Sequence, residues 1–98
     1  MPLFAVYALD KPDSLHIRNE NRPLHLAWVK DLGGQVKMAG PVFADDGETM
    51  AGSLVVMEGE TLADIRALAD QDPYAKAGLF ATRDIRPFKW LVNPPADL

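Results

Sequence analysis

Ninety-eight residues, 48% hydrophobic and 24% charged, are enough for one hydrophobic core and too few for two. A formal net charge of −4, with no run of Lys or Arg, argues against nucleic acid, whose phosphates demand a basic footprint. The absence of cysteine excludes disulfides and thiolate chemistry, and two histidines, His16 and His25, leave no ligand set for a structural zinc, so neither a metal nor another cofactor is expected.

The N-terminus, Met-Pro-Leu-Phe-Ala-Val-Tyr, has no basic segment or cleavage pattern, and no apolar run approaches membrane-spanning length. A cytoplasmic protein with no membrane partner is therefore expected. Leu3 to Leu9 is apolar on both alternating faces, Leu3, Ala5, Tyr7 and Leu9 on one and Phe4, Val6 and Ala8 on the other, which predicts a central strand covered on both sides. Asp10-Lys11-Pro12-Asp13-Ser14 supplies turn and N-cap chemistry. From Ser14 to Leu32, the residues Leu15, Arg18, Arg22, His25, Val29 and Leu32 fall on one helical stripe, flanked by Leu26 and Trp28. Pro23 either opens a helix or kinks one already running; the reading adopted is an irregular turn up to Asn19 and a helix from about Asn21, closed by Gly33-Gly34.

Gln35 to Ala39 reads as a short strand broken by Gly40-Pro41, followed by a Val42–Glu48 loop that turns at Asp45-Asp46-Gly47. Met50 to Glu58 is again apolar on both faces. Thr61, with Asp64 three residues on, is a relative of the capping box. Leu62, Ile65, Leu68 and Ala69 then give a second helix one buried face, and Pro73 stops it at or near Asp72. The last strand spans roughly Phe80 to Trp90, with Pro87 placing that end at an edge or bulge, and residues 93–98 form a loosely held tail.

The order is β-α-β-β-α-β, the ferredoxin-like arrangement: a four-stranded antiparallel sheet with two helices on one face, in a single domain spanning 1–98. Two helices cover one face of such a sheet, yet two strands are apolar on both. A second copy pairing sheet to sheet is the simplest cover, so a homodimer is expected.

His25 lies in an apolar segment, and imidazole is the side chain best suited to moving protons near neutral pH. For that work it needs a partner that fixes its tautomer, and Asp72 qualifies if the two helices pack side by side. The alternative is a half-buried histidine satisfied by a main-chain carbonyl. Asp72, Pro73 and Tyr74 bring a carboxylate, a rigid ring and a phenol to one helix end. Arg22 lies one turn from His25 and suits bidentate contact with a substrate carboxylate. Ser53 points to the same pocket from the third strand, and Gly40 and Pro41 shape a wall; a crowded sheet position and a plain turn explain them as well. His16 and Arg18 read as surface residues. Asp45-Asp46 lacks the ligand spacing of a calcium loop, and no P-loop, dinucleotide fingerprint or Gly-x-Ser-x-Gly elbow occurs.

Five short motifs in register, Arg22-x-x-His25-Leu26, Gly40-Pro41, Gly52-Ser53-Leu54, Asp72-Pro73-Tyr74 and Pro87-Phe88, make the chain resemble the YciI-like (YCII-related) family from the first strand to Trp90. The resemblance implies the dimeric α+β barrel fold, a ferredoxin-like protomer pairing through its sheet. It implies a His–Asp active site, which carries over onto His25 and Asp72, and lyase or dehydrochlorinase chemistry as precedent. Tyr74 stands where other members often carry Phe.

Three functions follow. The first is a cofactor-independent enzyme in which His25, oriented by Asp72, moves a proton on a small organic acid in an elimination or isomerisation. The second is a non-catalytic dimeric ligand-binding or accessory domain. The third, from fold analogy alone, is a cofactor-free oxygenase. A pocket lined by His, Asp and Arg favours the first, and an imidazole capped by a main-chain carbonyl favours the second.

Overall fold

A computed structural model describes residues 1–98. Four strands, β1 (Leu3–Asp10), β2 (Val36–Phe43), β3 (Met50–Glu58) and β4 (Phe80–Phe88), form one antiparallel sheet in the order β2-β3-β1-β4. Between them lie α1 (Leu15–Leu32), which runs into a 3₁₀ turn at Gly33–Gln35, then α2 (Leu62–Ala69) and a single helical turn, α3 (Pro73–Lys76). This is the expected ferredoxin-like arrangement. No helix is long and apolar enough to cross a membrane.

Strand alternation sorts the sheet into two faces. Phe4 pairs with Met57 and Val6 with Val55, and these four with Ile65 of α2 make the buried core, against which Trp28, Leu62 and Leu68 pack. The opposite face presents Ala5, Tyr7 and Leu9 of β1 beside Leu54 and Val56 of β3 and Met38 and Val42 of β2. Tyr7 is 44% and Met38 40% exposed, so one of the two apolar faces of the central strands is left uncovered within the protomer. β3 and β1 approach closely at Gly52, where an added Cβ would run into the Ala8 carbonyl oxygen and Val42 Cγ2.

Several local expectations are corrected. α1 is one continuous 18-residue helix from Leu15, with Pro23 inside it, and no irregular turn precedes Asn21. Proline there removes one helical hydrogen bond. The helix persists because side chains on both sides of it, Arg18 and His25, are tied into the rest of the fold. β2 does not break at Gly40-Pro41 but continues to Phe43; as an edge strand it needs no donor on its outer side. α2 ends at Ala69, and Pro73 opens a new helical turn instead of merely ending the old one. β4 ends at Phe88 rather than Trp90.

Other signals hold. Thr61 Oγ1 accepts from the Asp64 amide at 3.1 Å, and Gly33 closes α1 with a positive φ of 56°. In the β2–β3 loop, Asp46 accepts hydrogen bonds from Thr49 Oγ1 and from the amides of Thr49 and Glu48, which hold its carboxyl down at about 2. His16 is exposed, as expected. Arg18 is not: it is 2% exposed.

Candidate functional site

The site begins at α3. Proline is well placed in the first turn of a helix, because its missing N–H would have had no helical partner and its φ is already helical. Asp72 just before it takes an extended conformation and caps the turn, its Oδ1 accepting from the Tyr74 amide at 2.9 Å. The same oxygen lies 2.8 Å from His25 Nδ1, so cap and imidazole share one carboxylate oxygen. The His25 and Asp72 side chains are each 11% exposed. With Nδ1–H donating to Asp72, the neutral imidazole carries its lone pair on Nε2.

Tyr74 is 1% exposed, and its ring stacks on His25, centroids 4.1 Å apart and planes 14° from parallel. The Arg18 guanidinium carbon sits 4.6 Å from the centroid of the same ring. Residues 18 and 25 are two turns apart on one face of α1, about 10 Å of helix rise, so Tyr74 bridges two turns of the helix that carries the histidine. Burial raises the Tyr74 phenol above its ordinary pKa against the pull of the Arg18 and Arg22 charges, and it stays protonated at neutral pH.

Arg18 is anchored from the sheet. Its Nε donates to Asp10 Oδ2 at 2.7 Å, and its Nη2 donates to Asp10 Oδ1 at 2.9 Å and to Ser53 Oγ at 3.0 Å. Burial opposes the charge of the guanidinium, but the Asp10 carboxylate outweighs it, and the arginine pKa is raised. This buried pair ties the end of β1 to α1 and β3.

A cleft of about 210 Å³ opens between α1 and the β2–β3 side of the sheet. It is walled by Arg18, Arg22, His25, Ser53 and Tyr74 and by apolar groups that include Leu26, Val29, Pro41 and Val55, with Gly40 beside Pro41. Every fully buried polar side-chain atom in the protein has a hydrogen-bond partner. His25 Nε2 forms no hydrogen bond within the chain and is not sealed from solvent, and His25 lines this cleft, with the Tyr74 hydroxyl beside the Arg18 guanidinium. Arg22 is exposed at the same cleft and takes part in no ion pair.

The structure thus gathers His25, Arg22, Ser53, Tyr74, Gly40 and Pro41 around one cleft and sets Asp72 behind the imidazole, not on the cleft wall. Arg18, read from sequence as surface, belongs to the same cleft. The signal was present: positions 18, 22, 25 and 29 share one helical face, and two arginines and a histidine on a face that also carries Val29 mark a face with work to do. No group of three His, Cys, Asp or Glu side chains converges anywhere in the chain.

The chain has relatives. Residues 2–89 match the YCII-related domain. Protein YciI of Escherichia coli O6:H1 is 40% identical over 94 residues, covering 89% of this chain and 96% of that protein. An uncharacterized protein of Haemophilus influenzae is 36% identical over 93 residues, covering 88% and 95%. Among solved structures, 5-chloro-2-hydroxyhydroquinone dehydrochlorinase (TftG) from Burkholderia phenoliruptrix AC1100, in complex with 2,5-dihydroxybenzoquinone, superposes with a TM-score of 0.81 at 34% identity, covering 89% of this chain and 93% of that one. A putative antibiotic biosynthesis monooxygenase from Nitrosomonas europaea shares the fold, with a TM-score of 0.57 at 16% identity, covering 96% and 93%. A domain match over nearly the whole chain, joined to relatives of this identity and coverage, makes the chain a member of the YCII-related family.

Proposed function

We propose that this protein is a small acid–base enzyme that removes HCl, or an equivalent leaving group, from a planar oxygenated ring or enolisable acid, with His25 Nε2 as the proton acceptor. The observation that carries the reading is the pairing of His25 Nδ1 with a carboxylate at 2.8 Å in a residue that also lines the cleft, with Nε2 left without a partner in the chain. A histidine kept for packing would be satisfied by a main-chain carbonyl; a carboxylate fixes the tautomer and stabilises the imidazolium that proton transfer creates.

Nε2 takes a proton from an acidic O–H or C–H of the substrate. On a hydroxylated ring, loss of that O–H proton makes a ring C=O while the chlorine-bearing carbon takes a proton and becomes tetrahedral. Loss of a second O–H proton to Nε2 then forms a second C=O and a ring double bond as the carbon–chlorine bond breaks, its pair leaving as chloride. Two O–H protons thus leave and one is regained at carbon. The imidazolium then returns its proton to solvent, so one substrate gives one product, one proton and one chloride. Arg22 offsets negative charge as it develops on a substrate oxygen, and the Tyr74 hydroxyl donates to it. The apolar wall from Val29 to Val55 accepts the flat face of a ring. At about 210 Å³ the cleft is smaller than the ~300–1,000 Å³ typical of drug-sized sites, which suits a single ring or a short acid. The likeness to the dehydrochlorinase supports this substrate class. Incubation with 5-chloro-2-hydroxyhydroquinone is expected to release chloride above the spontaneous rate, read with a chloride electrode; a rate equal to the buffer blank removes this substrate and its close analogues from the reading.

The uncovered sheet face supports pairing of two copies through Tyr7, Leu9, Met38 and Leu54. Light scattering at micromolar concentration is expected to give twice the 10.8 kDa chain mass. A stable monomer would show that the face has another role.

A further inference from the structure

Arg18 has five N–H donors in a rigid fork. Nε and Nη2 are committed to Asp10 and Ser53, Nη1 donates to neither, and the Tyr74 hydroxyl beside the guanidinium supports its charge. No polar side-chain atom is both fully buried and unpartnered, so Nη1 is not sealed off although the residue is 2% exposed, and Arg18 is one of the residues that line the cleft. Arg18 is thus a nearly buried cation held from behind by Asp10 and Ser53, at the wall of the cleft.

We propose that Arg18 Nη1 is a fixed recognition point for a ligand oxygen, and that Asp10 behind it sets the charge of the ligand at one negative unit. This rests on the cleft being the ligand site, as in the proposed function, but not on His25 performing chemistry. The argument is a count of charges. The Asp10 carboxylate, 2.7 Å from Arg18 Nε, cancels the charge of that guanidinium, and Asp72 backs His25. Arg22 alone among the cations of the cleft has no carboxylate partner.

A ligand with one anionic oxygen gains the full attraction of Arg22. A second anionic oxygen at Nη1 finds hydrogen-bond donors but almost no net field, because Asp10 lies directly behind, and its lost hydration goes uncompensated. A neutral carbonyl or hydroxyl oxygen carries a far smaller desolvation cost and takes the same hydrogen bonds. The ligand class is therefore a monoanion with a second, neutral oxygen: a keto acid, a hydroxy acid or the enolate of a hydroxyquinone. Dicarboxylates and phosphate dianions are excluded. Asp10 touches no ligand; it acts through Arg18.

Calorimetric titration of the full chain near pH 7 with benzoate and phthalate, the same ring with one and two carboxylates, tests this. The unmodified protein is expected to bind benzoate at least tenfold more tightly than phthalate. Asp10→Asn keeps the size of the side chain and one oxygen to accept from Arg18, but uncovers the guanidinium charge; phthalate should then gain on benzoate by about tenfold or more, given a Coulomb attraction of several kcal/mol for a partly buried pair. Equal affinity for the two acids in the unmodified protein overturns the proposal, even if Asp10→Asn does not fold, as does failure of both to bind. So does an unchanged ratio in a folded Asp10→Asn. Because the readout is binding, a protein that follows this charge rule yet releases no chloride refutes the proposed reaction and leaves the recognition rule standing.

Discussion

Replacing His25 by Asn is expected to lower chloride release by about 10²–10⁴-fold, the usual contribution of a positioned general base. The asparagine amide still donates a hydrogen bond but has no lone pair able to take a proton. The variant should fold. Asp72 Oδ1 keeps its bond from the Tyr74 amide, so the lost imidazole leaves no carboxylate without a partner. Loss of one charge-assisted hydrogen bond and of the stacked ring should reduce stability by roughly 1–3 kcal/mol. Initial rates alongside a denaturant titration separate the two effects. Turnover within threefold of the parent, in a folded variant, would move the base elsewhere in the cleft.

Asp72 offers a sharper dissection, because one oxygen serves both folding and chemistry. Asparagine caps a helix about as well as aspartate, so Asp72→Asn should hold α3 in place and change stability little. Its amide, however, no longer favours the tautomer with the proton on Nδ1 and gives no countercharge to the imidazolium. A loss of about 10³–10⁴-fold in turnover is expected, by analogy with the same exchange in a Ser-His-Asp triad. Asp72→Ala removes the cap as well, and an additional ~0.5–2 kcal/mol of stability should go with it. If both variants lost activity only in proportion to their loss of stability, the carboxylate would be a helix cap and nothing more.

The elements of the fold were legible from sequence for a physical reason: their signals were local, whereas the pairing of His25 with Asp72, distant in sequence, was expected chiefly from the family resemblance. Alternating apolar residues marked β1 and β3, the 3.6-residue period marked α1 and α2, and Pro73 announced a helix boundary beside Asp72. What failed was reading prolines as breaks. Pro23 and Pro41 each sit where the surrounding structure makes the missing N–H tolerable, in a helix anchored on both sides and in an edge strand, and neither circumstance can be seen in a local window. Arg18 failed for the converse reason. An arginine on a helix reads as a solvated cation until its partner is known, and that partner, Asp10, lies across a turn on another element. A buried ion pair is a tertiary fact. The residue-by-residue period could report only that Arg18 shares a face with His25.

Both outer strands of the sheet carry a proline, Pro41 in β2 and Pro87 in β4. A strand residue whose nitrogen faces inward must supply an N–H to the ladder, so each proline sits where its nitrogen faces outward, on the side where a foreign strand would dock. An incoming strand meets a missing donor and a bulky ring at either margin. Sideways growth of the sheet into fibrils is obstructed at both ends, which lets the protein leave a broad apolar face open without the aggregation hazard that an exposed flat sheet normally brings.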